Sequence, residues 1–199
     1  VLLTVVNNLI VTNNIDLPRP VRTRVMITSP LETFSVGNTI VVSRGLIDVL
    51  PDEASLAMVL SHELAHIVLG HNLGSKFAFN DRMLFSDEST YSNFGFRHNP
   101  EEETAADAKA MELLKNSPYA QKLDVPSLFL KELTERAPTL SALLTAHLGN
   151  SFTNDKGQLI RLSALATTGP ALDASKLDQI AALPMGGRVK LNAWTDRVE

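Results

Sequence analysis

Two histidines and a glutamate in the run His62-Glu63-Leu64-Ala65-His66 are the residues of this chain best placed to do chemistry. Residues four apart share one face of a helix, so on a helix His62 and His66 can reach a single metal ion. Glu63 then lies about 100° around the axis from His62, beside such a metal rather than on it, where it can take a proton from a water the metal activates. Two imidazole ligands and a general base at this spacing are the arrangement of a zinc metalloprotease.

The same three residues arise by chance in roughly one chain in a hundred or two of this size, so the surrounding sequence has to carry the weight. Pro51-Asp52-Glu53 has the chemistry of a helix start, with acids in the first turn, and Gly70 and Asn72 suit a stop. The helix predicted between them, about residues 52–70, is apolar nearly all round: Ala54, Leu56, Ala57, Met58, Val59, Leu60, Leu64, Ala65, Ile67, Val68 and Leu69. Such a helix is buried, and two histidines with a glutamate inside it are costly unless something satisfies them. A metal does so.

A third ligand is then required. The metzincin solution needs a Gly three and a His six residues after His66, but those positions hold Leu69 and Asn72. His71 is five residues on, roughly 140° around a helix from His66, and more readily caps or satisfies the helix end than binds the metal. Glu103 is the better candidate. Asn99-Pro100-Glu101-Glu102 reads as a helix start, with Asn99 at the N-cap, Pro100 at the first position and Glu102 closing a capping box, which accounts for Glu101 and Glu102 structurally. Glu103 shares a face with Asp107 among small residues (Ala105, Ala106, Ala108, Ala110), a like-charge pairing that a nearby cation would relieve. Glu103 is therefore the expected third ligand. Asp107 is the expected partner that accepts a hydrogen bond from a ligand histidine and fixes its tautomer.

These side chains need elements to hold them. Val1, Val5 and Leu9 share a face if helical. Val21 to Thr28 alternates as a strand, and Thr33 to Val36 with Asn38 to Ser43 reads as a hairpin turning near Gly37. The zinc helix and the glutamate helix, about residues 100–115, follow. Between them Ser75 to His98 holds Phe77, Phe79, Phe85, Phe94 and Phe96, five of the chain's eight phenylalanines, among polar residues. The rings suit local core, or a lid over a cleft. Asp124-Val125-Pro126 starts a helix running through Leu133, a further helical stretch is expected from Leu140 to Leu148, and Arg188 to Trp194 reads as a short strand. Residues 150–199 carry the fewest readable signals.

At 199 residues and 44% apolar composition, one domain over residues 1–199 with a real core is expected. A formal charge of −4 with scattered Lys and Arg argues against a nucleic-acid surface. The absence of cysteine excludes a disulfide framework and a thiolate metal site. No apolar run approaches the length of a membrane span. Beginning at Val1 rather than Met, the chain reads as processed or trimmed, so a signal peptide, lipid anchor or membrane helix, and with it membrane association, can lie outside it.

Leu31 to His71 and Glu103 to Asp107 resemble the zinc metallopeptidases of family forty-eight, gluzincins that include the HtpX heat-shock protease, the BepA outer-membrane assembly protease and the type I CAAX prenyl endopeptidase. Thr39-Ile40-Val41-Val42-Ser43-Arg44-Gly45-Leu46 is similar to the family's strand and turn, Ala57 to His66 to its zinc helix, and Glu103-Thr104-Ala105-Ala106-Asp107 to the Glu-x-x-x-Asp of its second metal helix. The resemblance implies one Zn2+ on His62, His66 and Glu103, Glu63 as general base, and Asp107 orienting a histidine, His62 in first place. Two departures stand out. Glu32-Thr33-Phe34 replaces the common Asn-Ala-Phe on the strand that should lie along the substrate. The downstream histidine, His147, is followed by Leu148 and Gly149 instead of Pro, and the next arginine is Arg161. His147 is thus a candidate oxyanion stabiliser, or an ordinary helix-end histidine.

The expected fold is a single α+β zincin-like domain, mostly helical, with a small mixed sheet whose edge strand lines the cleft and holds an extended peptide by backbone pairing. The expected function is zinc-dependent endopeptidase action on protein substrates, with protein quality control in the bacterial cell envelope or periplasm implied by the resemblance. Two other classes remain: a zinc-stabilised chaperone or scaffold module that does not cleave, and a metal-free protein whose histidines are satisfied core groups.

Overall fold

The computed structural model describes residues 1–71, 98–136, 147–148, 152–154, 156, 158–173, 183–185, 189–192 and 197–198. Helix α1 (Leu2–Thr12) buries Val5, Val6 and Leu9, the face expected from their spacing. Strands β1 (Arg22–Met26), β2 (Glu32–Val36) and β3 (Thr39–Ser43) follow. β2 and β3 form the expected antiparallel hairpin, with the turn at Gly37, and β1 lies parallel on the far side of β3. Thr33 sits opposite Val42 and Ser35 opposite Ile40. Paired residues share a sheet face, so the buried hydroxyls of Thr33 and Ser35 lie on the same inward face as Ile40 and Val42.

Ser43 ends β3 and starts α2 (Arg44–Val49). Its Oγ accepts from the Leu46 amide at 3.1 Å, capping the helix, and from the Glu32 amide at 3.0 Å, tying it to β2. Gly45 is required there, since a Cβ would stand 1.9 Å from the Ser29 carbonyl oxygen.

Helix α3 (Glu53–Val68) is capped by the Asp52 side chain, which accepts from the Ser55 amide at 2.8 Å, and every residue from Ala54 to His66 is buried. Gly70, at φ of 71°, ends the helix in the left-handed conformation the sequence suggested. Helix α4 (Pro100–Lys115) begins with the predicted capping box: Asn99 accepts from the Glu102 amide at 2.8 Å, and Glu102 accepts from the Asn99 amide at 3.2 Å. α3 packs extensively on α4, and also against α1 and β2. Tyr119 braces this arrangement by donating to Glu53 at 2.7 Å and accepting from Asn8 at 3.1 Å.

Helix α5 (Asp124–Arg136) starts where predicted and runs three residues further. Of the helical stretch expected from Leu140 to Leu148, residues 140–146 lie outside the described residues. Its last two residues are not helical: His147 and Leu148 form β4, parallel to β2 at Glu32 and Thr33. Backbone pairing with β2 and burial of Leu148 override the local helical pattern there. The sheet order is β1-β3-β2-β4, so β2, the strand expected at the cleft edge, is flanked by β4 over Glu32–Thr33. Helix α6 (Ser163–Thr168) follows, and β5 (Leu183–Met185), β6 (Val189–Asn192) and β7 (Arg197–Val198) form an antiparallel sheet, with β6 inside the strand predicted over 188–194. The architecture is α+β, as expected: helices packed on a small mixed sheet. Of the Ser75–His98 stretch only His98 is described, so the choice between core and lid lies outside the described residues.

Candidate metal centre

Helix α3 presents His62 and His66 on one face, and α4 brings Glu103 to meet them. His62 Nε2 lies 3.2 Å from His66 Nε2 and 3.3 Å from Glu103 Oε2, while His66 Nε2 lies 3.8 Å from the same oxygen. All three side chains are buried, with ligating atoms within 4.8 Å of one another. Donor atoms about 2.0–2.1 Å from a tetrahedral metal stand roughly 3.3 Å apart, so this triangle fits one ion held by two imidazoles and a carboxylate with a coordination position to spare. Among the described residues the donors are two histidines and one glutamate, a set that catalytic zinc sites use.

The remaining groups are arranged around that triangle. Asp107 Oδ1 stands 2.8 Å from His62 Nδ1. Arg161, itself buried, bridges both carboxylates of α4, with Nε 3.2 Å from Glu103 and a terminal nitrogen 3.3 Å from Asp107. Leu162, immediately after it, holds a left-handed backbone at φ of 48°, a conformation costing about 1–3 kcal/mol for a non-glycine residue. The sharp turn it makes into α6 sets Arg161 against α4. Glu63 is buried with the hydroxyls of Thr33 and Ser35 from β2 against its carboxylate.

Burial by itself would lower the His62 pKa, but the hydrogen bonds to Asp107 and Glu103 hold it up at about 10. Burial would raise Glu103, yet hydrogen bonds from His62 and His66 and the Arg161 charge keep it well below the usual carboxylate range. Together these make His62 an imidazolium between two carboxylates in the metal-free protein. Burial pushes His66 down to about 4, and lifts Glu63 to about 7 against the pull of His62.

Of the residues singled out in the sequence, His62, Glu63, His66, Glu103 and Asp107 come together here. His147 is placed only by its backbone, in β4 beside Glu32; its side chain lies outside the described residues. His71 does not join the donor triangle: its Nδ1 is 3.1 Å from Nδ1 of His66, the nitrogen turned away from the other donors. Arg161 was named in the sequence only as the next arginine after His147, and its place was hidden by a separation of 54 positions from Asp107. His98, stacked on His66 with ring centres 3.8 Å apart, gave no signal beyond being a histidine near the helix start.

Two buried helices offer a His-His-Glu triangle that could hold a metal ion, with the buried Glu63 next to His62 in sequence and β2 across it. Residues 2–86 match peptidase family M48, so this stretch, which carries α1 to α3 with His62 and His66, is similar to that family and supports a metallopeptidase. The match stops before α4, so Glu103 and Asp107 are joined to the site by the structure. Among curated proteins none matches this chain. No helix of the described residues is long and apolar enough to cross a membrane.

Proposed function

We propose that this chain is a zinc-dependent endopeptidase in which His62, His66 and Glu103 hold the metal and Glu63 is the general base. The observation that carries the reading is the convergence of the three donors from two helices with the buried Glu63 next to His62 in sequence. Bound there, zinc supplies Lewis acidity, polarising the scissile carbonyl and making water a better acid at neutral pH. Glu63 takes the proton of the attacking water and returns it to the leaving amine. Thr33 and Ser35 hold its carboxylate toward β2. Asp107 accepts from His62 Nδ1–H, leaving Nε2 to face the metal, and Arg161 keeps Glu103 and Asp107 aligned and partly neutralised.

The substrate is a protein or peptide segment bound in extended form. Likeness to the HtpX and BepA members supports damaged or unassembled proteins of a bacterial cell envelope as the setting. A non-cleaving zinc scaffold would have no use for a buried base beside the metal.

Glu63→Gln tests the reading. The variant should keep its fold and one equivalent of zinc while turnover of an unfolded protein such as casein falls about 100-fold or more. Equal turnover removes Glu63 from the role. A zinc-loaded wild type that cleaves nothing supports the scaffold instead.

A further inference from the structure

The two proposed ligand histidines are braced differently: among the described residues, Nδ1 of His62 meets a carboxylate and Nδ1 of His66 meets another imidazole. We propose that His71 is the positioning residue of His66, doing for that ligand with a neutral imidazole what Asp107 does for His62. The proposal rests on the zinc reading above and adds to it a residue outside the ligand set.

Geometry carries it. His66 directs Nε2 toward His62 Nε2 and Glu103, and Nδ1 toward Nδ1 of His71 at 3.1 Å. A neutral imidazole has one N–H and one lone pair, so an Nε2 that binds metal leaves the proton on Nδ1. That Nδ1–H donates to the bare Nδ1 of His71, whose own proton then sits on its Nε2. The backbone fixes the approach: Gly70 turns left-handed, the His71 amide donates to the His66 carbonyl at 2.9 Å, and the two rings meet at 64° with centres 5.2 Å apart. His98 completes the setting by stacking on His66 at 14°, held in turn by Glu102 of the α4 capping box at 3.3 Å. The choice of acceptor has a consequence. A carboxylate raises the basicity of its ligand through charge, whereas a neutral ring fixes tautomer and orientation without adding charge.

His71→Asn is the informative variant, since its Oδ1 stands where Nδ1 stood and accepts a hydrogen bond but is a poor zinc ligand. Zinc affinity by chelator competition should fall about 10- to 100-fold in His71→Ala, the usual cost of losing such a partner, and return to within about threefold of wild type in His71→Asn. In wild type, imidazole nitrogen NMR of the zinc-loaded protein should show the His66 proton on Nδ1. Wild-type affinity in His71→Ala, or His71→Asn as weak as His71→Ala in a folded protein, overturns the proposal; the second result would mark His71 as a ligand. A wild type that binds no zinc overturns the site itself, and this inference with it.

Discussion

At the scale of single residues, the centre shows how burial and pairing divide the work among groups of the same type. His62 and His66 lie one turn apart on α3, yet His62 holds its proton up to about 10 while burial pushes His66 down to about 4; among the described residues, His62 has a carboxylate at each ring nitrogen and His66 at one. Zinc must displace the His62 proton, so binding near neutral pH should release about one proton and tighten as pH rises. Calorimetry in buffers of different ionisation enthalpy checks this, and binding without proton release would contradict the charge assignment. Asp107→Ala should leave the ligand set intact while weakening zinc binding by about 10- to 100-fold, read by titrating zinc into metal-free protein. An unchanged affinity would make Asp107 no more than the Arg161 partner.

At the scale of elements, the proposed metal site is a property of the α3–α4 interface. Ala106 and Ala110 of α4 are fully buried, which lets the two helices approach closely enough for Glu103 to reach α3. Ala110→Leu should cost about 1–3 kcal/mol through overpacking and weaken zinc binding at the same time. Denaturant unfolding and chelator competition on one sample check the coupling. Loss of stability with unchanged affinity would show that Glu103 is positioned independently of the interface. β2 has the corresponding part on the other side, since its register with β3 turns Thr33 and Ser35 inward to Glu63.

At the scale of the whole molecule, the buried polar centre links metal, pH and stability. Without metal, His62 and Glu63 both have pKa values raised above their unfolded values, to about 10 and about 7. A raised pKa gives stability that is present below the unfolded value and lost as pH rises through the folded one. His66, shifted the other way, has completed its change by about 6.5. Above that pH the metal-free protein should therefore melt at progressively lower temperature, while the zinc-loaded protein should not follow, because zinc binds more tightly over the same range. Free zinc at about 1,000 times its dissociation constant adds roughly 4 kcal/mol. Thermal melts with and without chelator between about pH 6.5 and 9 test the contrast, and parallel curves would refute it.

Local signals carried most of the site. The spacing of His62, Glu63 and His66, the caps at Asp52 and Asn99 and the alternation from Thr33 to Ser43 are short-range patterns that the backbone itself interprets, so the sequence determined α3, α4, the hairpin and the shared face of His62 and His66. Glu103 and Asp107 were legible for the same reason, through a like-charge pair on one helix face. Tertiary packing alone decided what depends on distant segments meeting. Arg161 reaches α4 from 54 residues away, His98 stacks on His66, and His147–Leu148 abandon a helical pattern because β2 offers backbone partners. His71 lies between the two cases: its distance from His66 is local, but whether it binds metal or supports a ligand depended on the left-handed turn at Gly70 and on which nitrogen of His66 faced the other donors.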